Sequence, residues 1–161
     1  MSDDRRAPRP SHPDAFETRI HVLPAIALAM HDALCETADA PIDRVRAMML
    51  EHGAGALVVV DGRGRPLGMI SPLDLVTHPG ATTACEVMTS PAVSVHEMTS
   101  ITRAAAVMAY EGIDHLPVVD DGGSLVAILS SADIMRHLGQ EQGFLVPRES
   151  RRRRHIRGIA A

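Results

Sequence analysis

IDRVRAMMLEHGAGALVVVDGRGRPLGMISPLDLVTH (Ile42–His78) and ITRAAAVMAYEGIDHLPVVDDGGSLVAILSSADIMRH (Ile101–His137) are one pattern written twice. The second copy follows the first at an offset of 59 residues without a gap, and 13 of the 37 aligned pairs are identical. The identities fall on Ile42/Ile101, Arg44/Arg103, Met49/Met108, Gly53/Gly112, Asp61/Asp120, Ser71/Ser130 and Asp74/Asp133 among others. Most other pairs exchange like for like, as in Met69/Ile128 and Leu75/Ile134. A period of this size marks two copies of one supersecondary unit that bury a shared interior.

Each copy reads as helix, strand, strand, helix. Asp43–His52 places Val45, Met48, Met49 and His52 at helical spacing, and Gly53 is positioned to end the helix. Thr102–Glu111 repeats this before Gly112. The apolar runs Leu57–Val60 and Leu116–Val119 read as strands. They lead into the turn sequences Asp61-Gly62-Arg63-Gly64 and Asp120-Asp121-Gly122-Gly123. Return strands are expected over Leu67–Ile70 and Val126–Leu129, with second helices starting at Ser71 and Ser130 and running through Thr77 and His137. A two-stranded hairpin with two short helices cannot cover its own apolar face, so the copies must pack on each other.

Working outward, the apolar leading segment HVLPAIALAM (His21–Met30) corresponds at the same offset to the run ending in Glu86–Thr89. The units are therefore placed at 21–80 and 81–140. They are flanked by a proline-rich, disordered arm over 1–20 and a basic, mostly disordered tail over 141–161. Of the 161 residues, 45% are apolar, yet Phe16, Tyr110 and Phe144 are the only aromatics, so the core is built from aliphatic side chains and Met. That scarcity and a net charge of −4 argue against a body that stacks or neutralises nucleic acid. Cys35 and Cys85 stand apart and read as reduced thiols. Neither a membrane-length apolar run nor a secretory signal is visible, and a cytoplasmic protein is expected.

Ser71-Pro72-Leu73-Asp74 and Ser130-Ser131-Ala132-Asp133 each precede an apolar run, which is the pattern of a capping box with serine at the N-cap and the acid at N3. The same carboxylates suit a second task. An ionised carboxylate is acceptor-only and can take two vicinal hydroxyls as charge-assisted donors.

The gapless repeat, the strands GALVVVD and DHLPVVD, and the endings GMISPLDLV (Gly68–Val76) and AILSSADIM (Ala127–Met135) resemble the CBS domain. Tandem pairs of such domains are called Bateman modules. The resemblance covers about Ile26–Leu138, and its signature, Gly-h-h-Ser/Thr-x-x-Asp-h with h apolar, is departed from only at Ala127. It implies an α/β fold of two units related by pseudo-twofold symmetry, paired as a disc-shaped homodimer. It also implies a cleft for an adenosyl ligand, namely AMP, ADP, ATP or S-adenosylmethionine, with Asp74 and Asp133 gripping ribose hydroxyls and Ser71, Ser130 and Ser131 beside them. Family members often place basic residues just before the first strand of the unit (the LPVV run), facing phosphate. Here those positions hold Asp114 and His115 in the second copy and Gly55 and Ala56 in the first. His115 and Arg136 are the phosphate candidates, which favours the second copy, because Arg136 corresponds to Thr77. The faces Val45–Met49 and Ala104–Met108 are the expected dimer contacts.

Other motifs dissolve on inspection. Gly62-x-Gly64-x-x-x-Gly68 lies between two strands, not between a strand and a helix, so it reads as a hairpin. The nine histidines are scattered, and no metal site or catalytic constellation is assigned. Arg151–Arg154, His155 and Arg157 form the one dense basic cluster, readable as a solvated tail or as a contact for nucleic acid, an anionic membrane or an acidic partner. The expectation is a non-enzymatic adenosyl sensor that acts on an unknown effector protein without a required cofactor. A ligand-free interaction scaffold and nucleic-acid binding through the arginine cluster stand as alternatives.

Overall fold

The computed structural model describes residues 23–29 and 33–144. The arm over 1–20 and the arginine cluster of the tail lie outside them. The described elements are α1 (Ala25–Leu28), β1 (Cys35–Thr37), α2 (Ile42–His52), β2 (Leu57–Val60), β3 (Pro66–Ile70) and α3 (Pro72–Thr77). A 3-10 turn over Ala84–Glu86 leads to β4 (Val95–His96), α4 (Ile101–Glu111), β5 (His115–Val119), β6 (Leu125–Ser130) and α5 (Ser131–Glu141).

Two three-stranded sheets result, in the orders β1-β2-β3 and β4-β5-β6. Within each, the hairpin is antiparallel and the short leading strand pairs parallel to its middle strand. The hairpin turns form as their residues dictate. Asp61 Oδ1 accepts the amides of Arg63 and Arg65 at 2.8 and 2.9 Å, and Asp120 Oδ1 accepts those of Gly122 and Ser124, both at 2.9 Å. Gly64 and Gly123 close these turns at φ 75° and 80°, a region that L side chains rarely adopt. The tips of the two hairpins touch, with Leu125 N donating to Gly64 O at 2.9 Å.

The repeat is obeyed in the interior. The equivalent pairs Leu57/Leu116, Val59/Val118, Ile70/Leu129 and Val45/Ala104 are all 0% exposed. Each fully buried Leu or Ile stabilises the fold by about 1.5–3 kcal/mol.

The leading segments are exchanged between the units. Ala25 packs with Val95, Ala104, Leu116 and Leu129 of the second copy, whereas Ala84 packs with Ile42, Val45, Leu57 and Ile70 of the first. Three pairs of backbone hydrogen bonds record the exchange. Ala25 N donates to Thr99 O and Ala84 N to Ala40 O; Ile26 N to Glu97 O and Cys85 N to Ala38 O; Ile101 N to Leu23 O and Ile42 N to Thr82 O. Every one of these pairs is related by the 59-residue offset, which is the pseudo-twofold in atomic detail.

Three expectations need correction. The helix-strand-strand-helix reading omits β1 and β4. The last helix does not end at His137 but continues through Gly139 to Glu141, because Leu138 packs on the second core. Within the stretches expected as dimer contacts, Val45, Met49, Ala104 and Met108 are 0–5% exposed and belong to the core, while Ala47 and Ala106 beside them are exposed. The large apolar side chains exposed on the described helices are Leu50, Leu73, Val76, Tyr110 and Met135.

Candidate functional site

Both serine–aspartate pairs form capping boxes. In the first copy Asp74 Oδ2 accepts Ser71 N at 2.7 Å and Ser71 Oγ at 2.6 Å, while Asp74 N lies 3.4 Å from Ser71 Oγ. In the second, Asp133 Oδ2 accepts Ser130 N at 3.0 Å and Ser130 Oγ at 2.6 Å, with Asp133 N 3.2 Å from Ser130 Oγ. Pro72 occupies the first helical position of α3, where its missing N–H costs nothing. A capping serine contributes about 1 kcal/mol. The boxes fix the direction of each carboxylate and leave Oδ1 to do something else.

What Oδ1 does differs between the copies. Asp133 Oδ1 accepts Arg136 Nη1 at 2.9 Å, and the two side chains are 2% and 15% exposed. The Arg136 Nε beside it is buried without an acceptor, an arrangement that costs about 1–3 kcal/mol. Position 77 in the first copy cannot do this. Thr77 Oγ1 turns back to Leu73 O and Asp74 O at 3.0 and 3.2 Å. Asp74 is half-buried, and its Oδ1 has no hydrogen-bond partner among the described residues.

Ser131 and His115 are also placed. Ser131 N donates to Asp114 O and Ser131 Oγ to Asp114 Oδ1, both at 2.9 Å, so its hydroxyl is committed to the acid expected at the phosphate edge. His115 pairs with Ser130 across β5 and β6. Its ring lies against Gly55 of the first copy, where a Cβ would come within 3.0 Å of Cε1 and Nε2. His115 thus sits on the seam between the units. Ser130, Ser131, Asp133 and Arg136 gather with it at the start of α5, whereas Ser71 and Asp74 hold the equivalent start of α3.

Gly55 and Asp114, the positions named at the phosphate edge, instead build the protein's own contacts: Gly55 admits the His115 ring and Asp114 accepts Ser131. Their visible signal is that these repeat-equivalent positions differ so sharply in size and charge. Elsewhere a depression of about 360 Å³ between α4 and α5 is lined by apolar residues such as Ala105, Met108, Ile134 and Met135. Among the described residues no cluster of His, Cys, Asp and Glu is arranged to hold a metal ion. No described helix is long and apolar enough to cross a membrane.

The family model of the CBS domain matches residues 26–80 and again 84–140. The chain is a tandem CBS-domain protein. An uncharacterized protein of Methanopyrus kandleri is 35% identical over 95 residues, which are 55% of this chain and 48% of that protein. The chain thus spans about half the length of that relative. A solved CBS domain pair, in complex with 5′-methylthioadenosine and S-adenosyl-L-methionine, is 25% identical with a TM-score of 0.68, covering 73% of this chain and all (100%) of that one. The cytosolic domain of the Mg2+ channel MgtE, solved in complex with ATP, is 26% identical with a TM-score of 0.59, covering 69% of this chain and 50% of that one.

Proposed function

We propose that this CBS pair is a non-enzymatic sensor of an adenosyl compound and passes its occupancy to a partner protein. The observation that carries the reading is the signature carboxylate of the first copy. Asp74 is oriented by its capping box, is half-buried, and keeps one oxygen without a partner among the described residues. The similar CBS pair with 5′-methylthioadenosine and S-adenosyl-L-methionine, and the MgtE domain with ATP, support the ligand class. A vicinal diol supplies the two O–H donors that such a carboxylate accepts. Ser71 and Asp74 of the first copy, with His115 on the seam between the units, are the residues proposed to line the binding position; Ser130, Ser131, Asp133 and Arg136 hold the repeat-equivalent position of the second copy. A ligand that contacts both units favours one relative orientation of them, and its differential affinity sets how far the equilibrium moves.

The sensor works as a homodimer in this reading. Val76 of α3 and Met135 of α5 are repeat-equivalent and 74% and 63% exposed, so they offer the same apolar knob twice.

The second reading is a ligand-free scaffold. Its supporting observation is that both boxes are complete as helix caps and need no ligand. Thermal unfolding with AMP, ADP, ATP, S-adenosylmethionine and 5′-methylthioadenosine, against guanine nucleotides, separates the two. A ligand bound only by the folded state adds about 2.7 kcal/mol at a hundredfold excess over its dissociation constant. A shift for an adenosyl compound supports the sensor. No shift across the panel leaves the scaffold.

A further inference from the structure

The two signature carboxylates are built alike and used differently. A capping box spends Oδ2 on the serine amide and hydroxyl, so Oδ1 is the atom left for a ribose. In the second copy that atom is already taken by Arg136 Nη1 at 2.9 Å, and the Asp133 side chain is 2% exposed beneath it. Arg136 is no casual surface partner. Its side chain is 15% exposed and its Nε is buried without an acceptor, so the guanidinium gives up solvation to stay on Asp133. The first copy carries Thr77 at the same position, and its short side chain is bonded to the backbone of its own helix turn.

We infer that Arg136 determines which copy can bind: it holds Asp133 closed, and of the two signature carboxylates only Asp74 is left to accept a ribose. Arg136 is a specificity-determining residue that acts through Asp133, not a phosphate ligand. A diol approaching the second copy must first displace a buried ion pair; one approaching Asp74 meets no such competitor. The inference rests on the adenosyl reading for its ligand, but the latch itself can be measured without one.

Carbodiimide coupling of an amine to carboxylates in the native full chain, read by peptide mass spectrometry, tests the latch directly. Asp74 labels and Asp133 is protected in the wild type. Arg136→Thr, which installs the residue of the first copy, raises Asp133 labelling to the level of Asp74. The reverse exchange Thr77→Arg, at an exposed position, lowers Asp74 labelling and serves as the second variant should Arg136→Thr fold poorly. Labelling of Asp133 that is unchanged by Arg136→Thr, or of Asp74 unchanged by Thr77→Arg, overturns the latch.

Titration with AMP and with S-adenosylmethionine then reads the consequence. The wild type takes one equivalent, lost in Asp74→Ala and kept in Asp133→Ala, and Arg136→Thr takes two. A single equivalent lost in Asp133→Ala overturns the assignment. If labelling behaves as stated and neither compound binds any variant, the adenosyl reading fails and the latch stands.

Discussion

At the scale of single residues, the signature glycine has a steric explanation. A Cβ on Gly68 would lie 2.7 Å from Met88 Sδ and 2.8 Å from Thr89 O, because the chain between the units crosses β3 there. Met69 and Thr89 exchange backbone hydrogen bonds at 3.0 and 2.9 Å, which pins that crossing in place. Gly68→Ala is therefore expected to cost about 1–3 kcal/mol in urea unfolding, as overpacked cores do. Gly62→Ala, with nothing within 4 Å of its Cβ, is the control, and stays within about 0.5 kcal/mol. The capping boxes were legible in the sequence because Ser-x-x-Asp before an apolar run specifies its own hydrogen bonds. The Arg136 contact carries a weaker signal, although Asp133 and Arg136 stand three apart on one helix and so share a face. Spacing alone did not say that the pair would be buried.

Among the elements, the helices and hairpins follow from local signals: apolar residues at helical spacing, Gly53 and Gly112 at helix ends, and aspartate-glycine turns. β1 and β4 carry no such signal. They are three and two residues long, and exist only because β2 and β5 offer a parallel partner. The segment between the units is tied by a local network that motif reading also missed. Glu86 accepts Thr82 N at 3.0 Å, Thr82 Oγ1 at 2.8 Å and Thr83 Oγ1 at 3.0 Å. These bonds, that from the Thr82 amide first, hold its carboxyl below the ordinary value of 4.5. A carboxylate whose folded pKa is lowered stabilises the fold above its unfolded value, and that stability is lost as pH falls through the folded one. Glu86→Gln is expected to lower the melting temperature at neutral pH. The gap to wild type should close as the pH drops below about 4.5, when the wild-type acid protonates too. A gap that persists unchanged in acid would show that the carboxylate charge is not what ties this segment.

For the whole molecule, the exchange of leading segments makes the two units one folding entity. Ala25 and Ala84 are 0% exposed in the cores of the opposite copies. A larger side chain there should act across the sequence. Ala25→Leu is expected to reduce hydrogen-exchange protection first at Leu116 and Leu129, and Ala84→Leu at Leu57 and Ile70, each costing about 1–3 kcal/mol. Effects confined to each residue's own copy would contradict the exchange. The repeat offset pairs Ala25 with Ala84 in the sequence, but which core receives each is a non-local fact that no periodicity carries.

The proposed dimer belongs to this scale as well. Val76→Arg with Met135→Arg should halve the mass in sedimentation while leaving the far-ultraviolet dichroism unchanged. An unaltered mass would move the contact elsewhere or remove it.

The most direct measurement is equilibrium binding of labelled AMP and S-adenosylmethionine to the full chain, with guanosine monophosphate as competitor, in wild type and Asp74→Ala. The account predicts saturable binding of an adenosyl compound that the guanine nucleotide does not displace and that Asp74→Ala abolishes. Absence of saturable binding, or binding indifferent to Asp74, would contradict it.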